Sequence, residues 1–133
     1  MTGKSPLEVV EAFMAAMAAK DYDNGLIHVA EGCVYDNKPM GKVEGPAGVR
    51  AVLEPFFAPT LENEFVILRQ AAQGPVVFME RLDRHRIAEG WVELPVTGVW
   101  EVHDGKITMW SDYFDLATLT RAWPALAAQT QAV

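Results

Sequence analysis

Two short runs in this 133-residue chain combine residue types that can move protons. The first is Glu80-Arg81-Leu82-Asp83, inside the longer run from Pro75 to His85. Read as a strand, in which side chains alternate between faces, Arg81 and Asp83 share a face with Val77 and Met79. An apolar face that turns into an arginine and a carboxylate needs its charges paired, because a lone buried charge costs several kcal/mol or changes protonation state. The second run, Trp110-Ser111-Asp112-Tyr113-Phe114-Asp115, offers a further carboxylate, with Asp112 on the same parity as Trp110 and Phe114. Two acids bracketing one arginine at the end of an apolar cavity is an acid–base arrangement. Taken separately, Arg81 with Asp83 also reads as a surface ion pair on a solvated strand face, and Asp112 as a strand-ending residue.

The elements that must position these groups are legible in outline. Ser5-Pro6-Leu7-Glu8 has the form of a helix start, with Ser5 as N-cap, Pro6 at the first helical position and Glu8 closing a capping box. Val9, Val10, Phe13, Met14 and Met17 then recur at helical spacing up to Lys20. Asp23 is positioned to cap a short helix over 24–31 that Gly32 ends, and 33–37 reads as extended. Residues 41–45 read as a loop, followed by a helix opened by Pro46, carrying Val49, Val52, Leu53 and Phe56 and ending near Pro59. Residues 62–72, 75–88, 91–102 and 106–114 read as strands separated by Gly74, Gly90 and Asp104-Gly105. Asp104-Gly105 is a hairpin signal, since both central residues of that turn need positive φ. Pro95 cannot donate to a ladder and marks an edge or a bulge. A last helical segment over 117–127 is bent by Pro124. Helices followed by a run of strands make the fold α+β, a curved mixed or antiparallel sheet wrapped around the N-terminal helices, in one domain over 1–133.

Composition narrows the function classes. Half of the residues are hydrophobic and 22% are charged, as in a folded globular domain. The net charge of −7, with no basic stripe, argues against nucleic acid as a partner. No apolar run approaches the roughly 20 residues of a membrane helix, and the first residues lack a signal-peptide core. Cys33 is the single cysteine, so there is no intrachain disulfide or thiolate cluster, which points to a reducing cytoplasm. His28, His85 and His103 are too scattered for a zinc site, and His85 and His103 read as ordinary histidines.

The order helix, helix, short strand, helix and four long strands resembles the nuclear transport factor 2-like cone fold, which hosts several activities. Within it, Tyr35-Asp36-Asn37, Glu80-Arg81-Leu82-Asp83 and the run from Gly105 to Leu116 resemble the limonene-1,2-epoxide hydrolase family. The resemblance implies Arg81 as the arginine of the site, Asp83 as proton donor, Asp112 as base, and Tyr35 and Asn37 as the residues that hold a water. It further implies no cofactor, a small lipophilic epoxide (cyclic, terpenoid or sterol-like) as substrate with water, and a homodimer formed across the open face of the sheet. His85, one strand step past Asp83, departs from the apolar surroundings expected there.

Epoxide opening by water needs one proton removed from the water and one delivered to the ring oxygen. Neighbouring buried carboxylates cannot both ionise cheaply, so their pKa values separate and the two roles divide between Asp112 and Asp83. Val77, Met79, Trp110, Phe114, Leu53 and Phe56 are the expected lining of the cavity. Two other readings stand beside the hydrolase. One is an isomerase or polyketide-cyclase-like enzyme, although residues 7–19 hold no tyrosine to serve as an isomerase's oxyanion donor. The other is a non-catalytic small-ligand module, which needs no buried acid–arginine–acid trio.

Overall fold

A computed structural model describes residues 3–126. Helix α1 (Pro6–Ala18) begins as its sequence dictates. The Glu8 amide donates to Ser5 Oγ at 3.2 Å and the Ser5 amide to Glu8 Oε1 at 2.8 Å, which satisfies two of the orphan donors of the first turn. Its buried stripe is Val9, Val10, Phe13, Met14 and Met17. Helix α2 (Tyr22–Leu26) departs from the expected 24–31. Asp21, not Asp23, is the cap, and Asp23 sits in the first turn where it pairs with Arg50 at 2.9 Å. The expected end of that helix belongs instead to strand β1 (Val29–Asn37), whose first residue registers with Ile107. Strand pairing with a distant segment overrides the weak local helical preference here.

The expected loop at 41–45 is also extended. Strand β2 (Gly41–Glu44) folds back on β1, with Asn37 opposite Gly41. Helix α3 (Gly45–Phe57) follows, with Pro46 in its first turn and Val49, Leu53 and Phe57 buried. Strands β3 (Glu62–Gln73), β4 (Val76–Ile87), β5 (Gly90–His103) and β6 (Lys106–Tyr113) run antiparallel in sequence order. The β5–β6 turn places Asp104 and Gly105 at φ 52° and 76°, the geometry a two-residue hairpin requires.

The six strands form one mixed sheet in the order β2-β1-β6-β5-β4-β3, with β1 and β6 parallel. Pro95 lies in an interior strand, yet beside an open edge: pairing with β6 begins only at Thr97, so residues 90–96 of β5 have β4 alone as a partner. Helix α4 (Leu116–Ala122) ends at Trp123, whose φ of −140° and ψ of 72° lie outside the helical region that a following proline disfavours, and helical conformation resumes over 124–126. The expected end at Ala127 lies outside the described residues.

Two apolar clusters fill the inner face. One joins α1 and α3 to the inward residues of β1, β4, β5 and β6, Trp100 and Trp110 among them. The other joins Val92, Leu94 and Val96 of β5 to Leu119, Trp123 and Leu126. Phe56 packs against both.

Candidate active site

Between those clusters lies a cavity of about 450 Å³, within the range of small-molecule sites. Its wall is largely apolar, and its polar groups gather where β1, β6 and β4 present their inner faces. The parity of β4 turns Arg81 and Asp83 inward, and both are buried, 2% and 7% exposed. Asp112, at 6%, reaches the same point from β6 across one intervening strand.

Arg81 joins the two acids through both sides of its planar fork. Nε and Nη2 donate to Asp83 Oδ1 and Oδ2 at 2.8 and 2.9 Å, while Nη1 and Nη2 donate to Asp112 Oδ1 and Oδ2 at 3.3 and 3.1 Å. Nη2 is thus shared between the carboxylates, and the two-point grip on both acids is available to arginine and not to lysine. Burial alone would lower the Arg81 pKa, but the charges of Asp112 and Asp83 more than reverse this and hold it above its ordinary value. Burial pushes Asp112 up from the usual carboxylate range, with Arg81 opposing the shift.

The parallel register of β1 and β6 sets Tyr35 beside Trp110 and Asn37 beside Asp112. Tyr35 stacks on Trp110, ring centroids 3.9 Å apart and planes 10° from parallel. Burial, reinforced by the nearby Asp112 charge, keeps the Tyr35 phenol protonated well past its ordinary pKa. The five polar residues named from sequence therefore all line one cavity. Of the six expected apolar lining residues, Trp110, Phe114, Leu53 and Phe56 do so. Val77 and Met79 do not: both are buried in the core, and Met79 faces a smaller cleft with Glu11, Met14 and Ala15. They share the face of Arg81, but α1 lies over that end of β4. Met14, Met17, Phe65, Leu94, Val96 and Leu119 supply wall that strand parity could not locate.

Two further residues shape the site. Trp110 Nε1 donates to Asp112 Oδ1 at 2.8 Å, so this indole orients the carboxylate as well as packing. The signal for it is the i, i+2 spacing of a tryptophan and an aspartate on one strand face. Gly98, opposite Asp112 and Met79 in the sheet, lies under the ion pair. A Cβ there would meet Trp100 Cη2 at 2.6 Å, Arg81 Nη1 at 2.7 Å and Asp112 Oδ1 at 2.8 Å. Gly98→Ala is therefore expected to push Arg81 and Asp112 apart. A misplacement of about 1 Å at reacting groups lowers turnover about 10²-fold, and overpacking destabilises by about 1–3 kcal/mol. Parallel kinetics and thermal melts on the variant check this; near-native turnover would show that the contact does not set the geometry.

A mixed sheet closed over helices, with an apolar cavity on its inner face, places the molecule in the SnoaL-like, nuclear transport factor 2-like class of folds. The solved structure of a SnoaL-like protein from Shewanella denitrificans OS-217 superposes with a TM-score of 0.81 at 17% identity, covering 90% of this chain and 97% of that one, a likeness of fold alone. The family model described as limonene-1,2-epoxide hydrolase catalytic domain matches residues 4–125, and the chain belongs to that family. It is 35% identical over 107 residues to the epoxide hydrolase EphG of Mycobacterium tuberculosis (strain ATCC 25618 / H37Rv), covering 80% of this chain and 71% of that protein. The structure of an M. tuberculosis LEH-like epoxide hydrolase superposes with a TM-score of 0.76 at 32% identity, over 93% of this chain and 96% of that one.

Proposed function

We propose that this protein hydrolyses a lipophilic epoxide to a vicinal diol by direct attack of water, with its own side chains as acid and base. The observation that carries the reading is the buried guanidinium shared by two carboxylates at the polar end of an apolar cavity. With both acids ionised the buried trio bears a net negative charge, and taking up one proton neutralises it, so the pair works with a single proton between its members.

In the proposed step a water sits against Tyr35, Asn37 and Asp112. Ionised Asp112 takes a proton from it as its oxygen forms a bond to a ring carbon. The far carbon–oxygen bond breaks, and protonated Asp83 gives its proton to the departing oxygen. One proton has entered Asp112 and one has left Asp83, so the site resets when a proton returns from the first to the second. Burial raises the proton affinity of Asp112, which makes it, once ionised, a stronger base than a solvated aspartate. The apolar wall admits a ring-sized hydrocarbon skeleton and excludes bulk water.

A panel of cyclic and terpenoid epoxides assayed for diol tests the activity. Single-turnover reaction in ¹⁸O-labelled water tests the route: label is expected in the diol at the first turnover. An unlabelled first-turnover diol, its oxygen drawn from an enzyme carboxylate, would mean an ester intermediate and overturn the scheme.

We also propose a homodimer. The outer face of the sheet leaves Phe78, Trp91, Val34 and Tyr113 partly exposed, a spread of apolar surface suited to a second copy. Sedimentation is expected to show a dimer at micromolar concentration; a monomer throughout that range would refute it.

A further inference from the structure

The cavity holds a polar group that the acid–base chemistry does not use. His85 follows Asp83 by one strand step on the same face, is 2% exposed, and lines the cavity. Aromatic rings surround it: Phe56 at 5.1 Å, Phe57 at 5.8 Å, Trp123 at 5.9 Å and Phe65 at 6.3 Å between centroids. A leucine or phenylalanine would fill such a wall without desolvating a polar ring. The histidine needs a reason.

A hydrogen-bond chain behind the ring determines which nitrogen carries its hydrogen. The Phe57 carbonyl can only accept, so the Thr60 hydroxyl, 2.7 Å away, donates to it. Thr60 Oγ1 then accepts from Asn63 Nδ2 at 2.9 Å, which leaves Asn63 Oδ1 facing His85 Nδ1 at 2.7 Å. That contact requires the hydrogen on Nδ1. Burial, aided by the Arg81 charge, lowers the imidazole pKa to about 4, so the ring is neutral at pH 7 and carries one hydrogen only. Nε2 is therefore a bare acceptor. It makes no hydrogen bond with the described residues. Among the described residues Trp100 Nε1 is fully enclosed without a partner, whereas His85 Nε2 keeps some exposure, and the His85 side chain lines the cavity. An acceptor held rigidly in an aromatic wall is unfavourable until a donor meets it.

We propose that His85 is a specificity residue that accepts a hydrogen bond from a hydroxyl group on the substrate, so that the preferred substrate is the epoxide of a hydroxylated lipophile. The proposal rests on the epoxide-hydrolase reading of the same cavity. Side chains two residues apart on a strand face are spaced by about 7 Å. With the ring oxygen at Asp83, the hydroxyl lies on the order of 7 Å from it on the same edge of the molecule. A ketone at that position offers only lone pairs and is repelled by Nε2, so the site discriminates between alcohol and ketone as well as between alcohol and hydrocarbon.

The test compares three epoxides of one ring skeleton carrying a hydroxyl, a carbonyl or a methylene at the remote position. Wild type is expected to favour the alcohol over the methylene compound about tenfold in kcat/KM, the size of one hydrogen bond, with the ketone last. In His85→Leu the alcohol-to-methylene ratio is expected to fall to one or below. In His85→Gln, which can offer an amide oxygen in place of Nε2, it is expected to persist in part. No alcohol preference in wild type, or a ratio unchanged in His85→Leu, overturns the proposal. The wild-type series decides alone if the leucine variant does not fold. If wild type opens none of the epoxides, calorimetric binding of the matched alcohol, ketone and hydrocarbon separates the two readings. A retained alcohol preference leaves His85 as the recognition residue and removes only the hydrolase assignment; equal binding removes the His85 assignment too.

Discussion

Asp112→Asn is expected to lower kcat/KM for epoxide opening by about 10²–10⁴-fold, the contribution of one positioned general base, in a protein that remains folded. The amide keeps the shape of the carboxylate but cannot accept the proton of the attacking water. Its oxygen can still receive the Trp110 indole, which donates to Asp112 Oδ1 at 2.8 Å in the native site. Its nitrogen then faces Arg81 Nη2, donor against donor, where the native carboxylate accepts at 3.1 Å. That mismatch costs about 1–3 kcal/mol, partly offset because the substitution removes one of two negative charges held around a single guanidinium. Diol formation measured beside circular dichroism and a melt distinguishes the effects. Activity within tenfold of wild type would rule out Asp112 as the base. Asp83→Asn is expected to lose nearly as much, since the departing oxygen then lacks its acid.

Arg81→Met is expected to destabilise the fold by about 3–5 kcal/mol, the penalty for breaking a buried ion pair from one side, and to abolish turnover. The variant loses four hydrogen bonds and leaves two buried carboxylates facing one another. Without the guanidinium that opposes it, the upward shift of Asp112 from burial and the facing carboxylate grows, and its folded-state pKa stands further above that of the unfolded chain. A group of that kind contributes full stability below its unfolded pKa and loses it as pH rises through the folded value. The Tm gap between variant and wild type is therefore expected to shrink as pH falls from 7 towards 4. Thermal melts across that range provide the check. A gap that does not change with pH, or a loss well below about 1 kcal/mol, would mean that the trio is solvated and works as a surface pair.

Much of the site is local in origin and could be read from the chain. Strand parity alone turns Arg81 and Asp83 to one face, because alternation is a property of any extended backbone. The capping box at Ser5 and Glu8 and the Asp104-Gly105 hairpin are likewise decided within four residues, by unsatisfied amides and by the φ values a tight turn demands. The readings that failed have different causes. Residues 29–31 look helical in isolation and become the start of β1, where Val29 pairs with Ile107 far away in sequence, while 41–44 look loop-like and become strand by folding back on residues 34–37.

Parity could not say how far the apolar face of β4 remains open. Val77 and Met79 point the same way as Arg81, but α1 covers them, so they became core while Leu94, Val96 and Leu119 became wall. The importance of Gly98 was invisible for the same reason: nothing near it in sequence shows that an arginine from β4 and an aspartate from β6 meet above its Cα. His85 is the sharpest case. Its residue type is plain in the chain, yet its tautomer is decided by Asn63, Thr60 and the Phe57 carbonyl, brought to it by another strand and the end of a helix. Backbone alternation and capping act over a few residues and are written locally. Which faces are covered, and which buried polar atoms find partners, depends on the packing of segments that meet only in the folded chain.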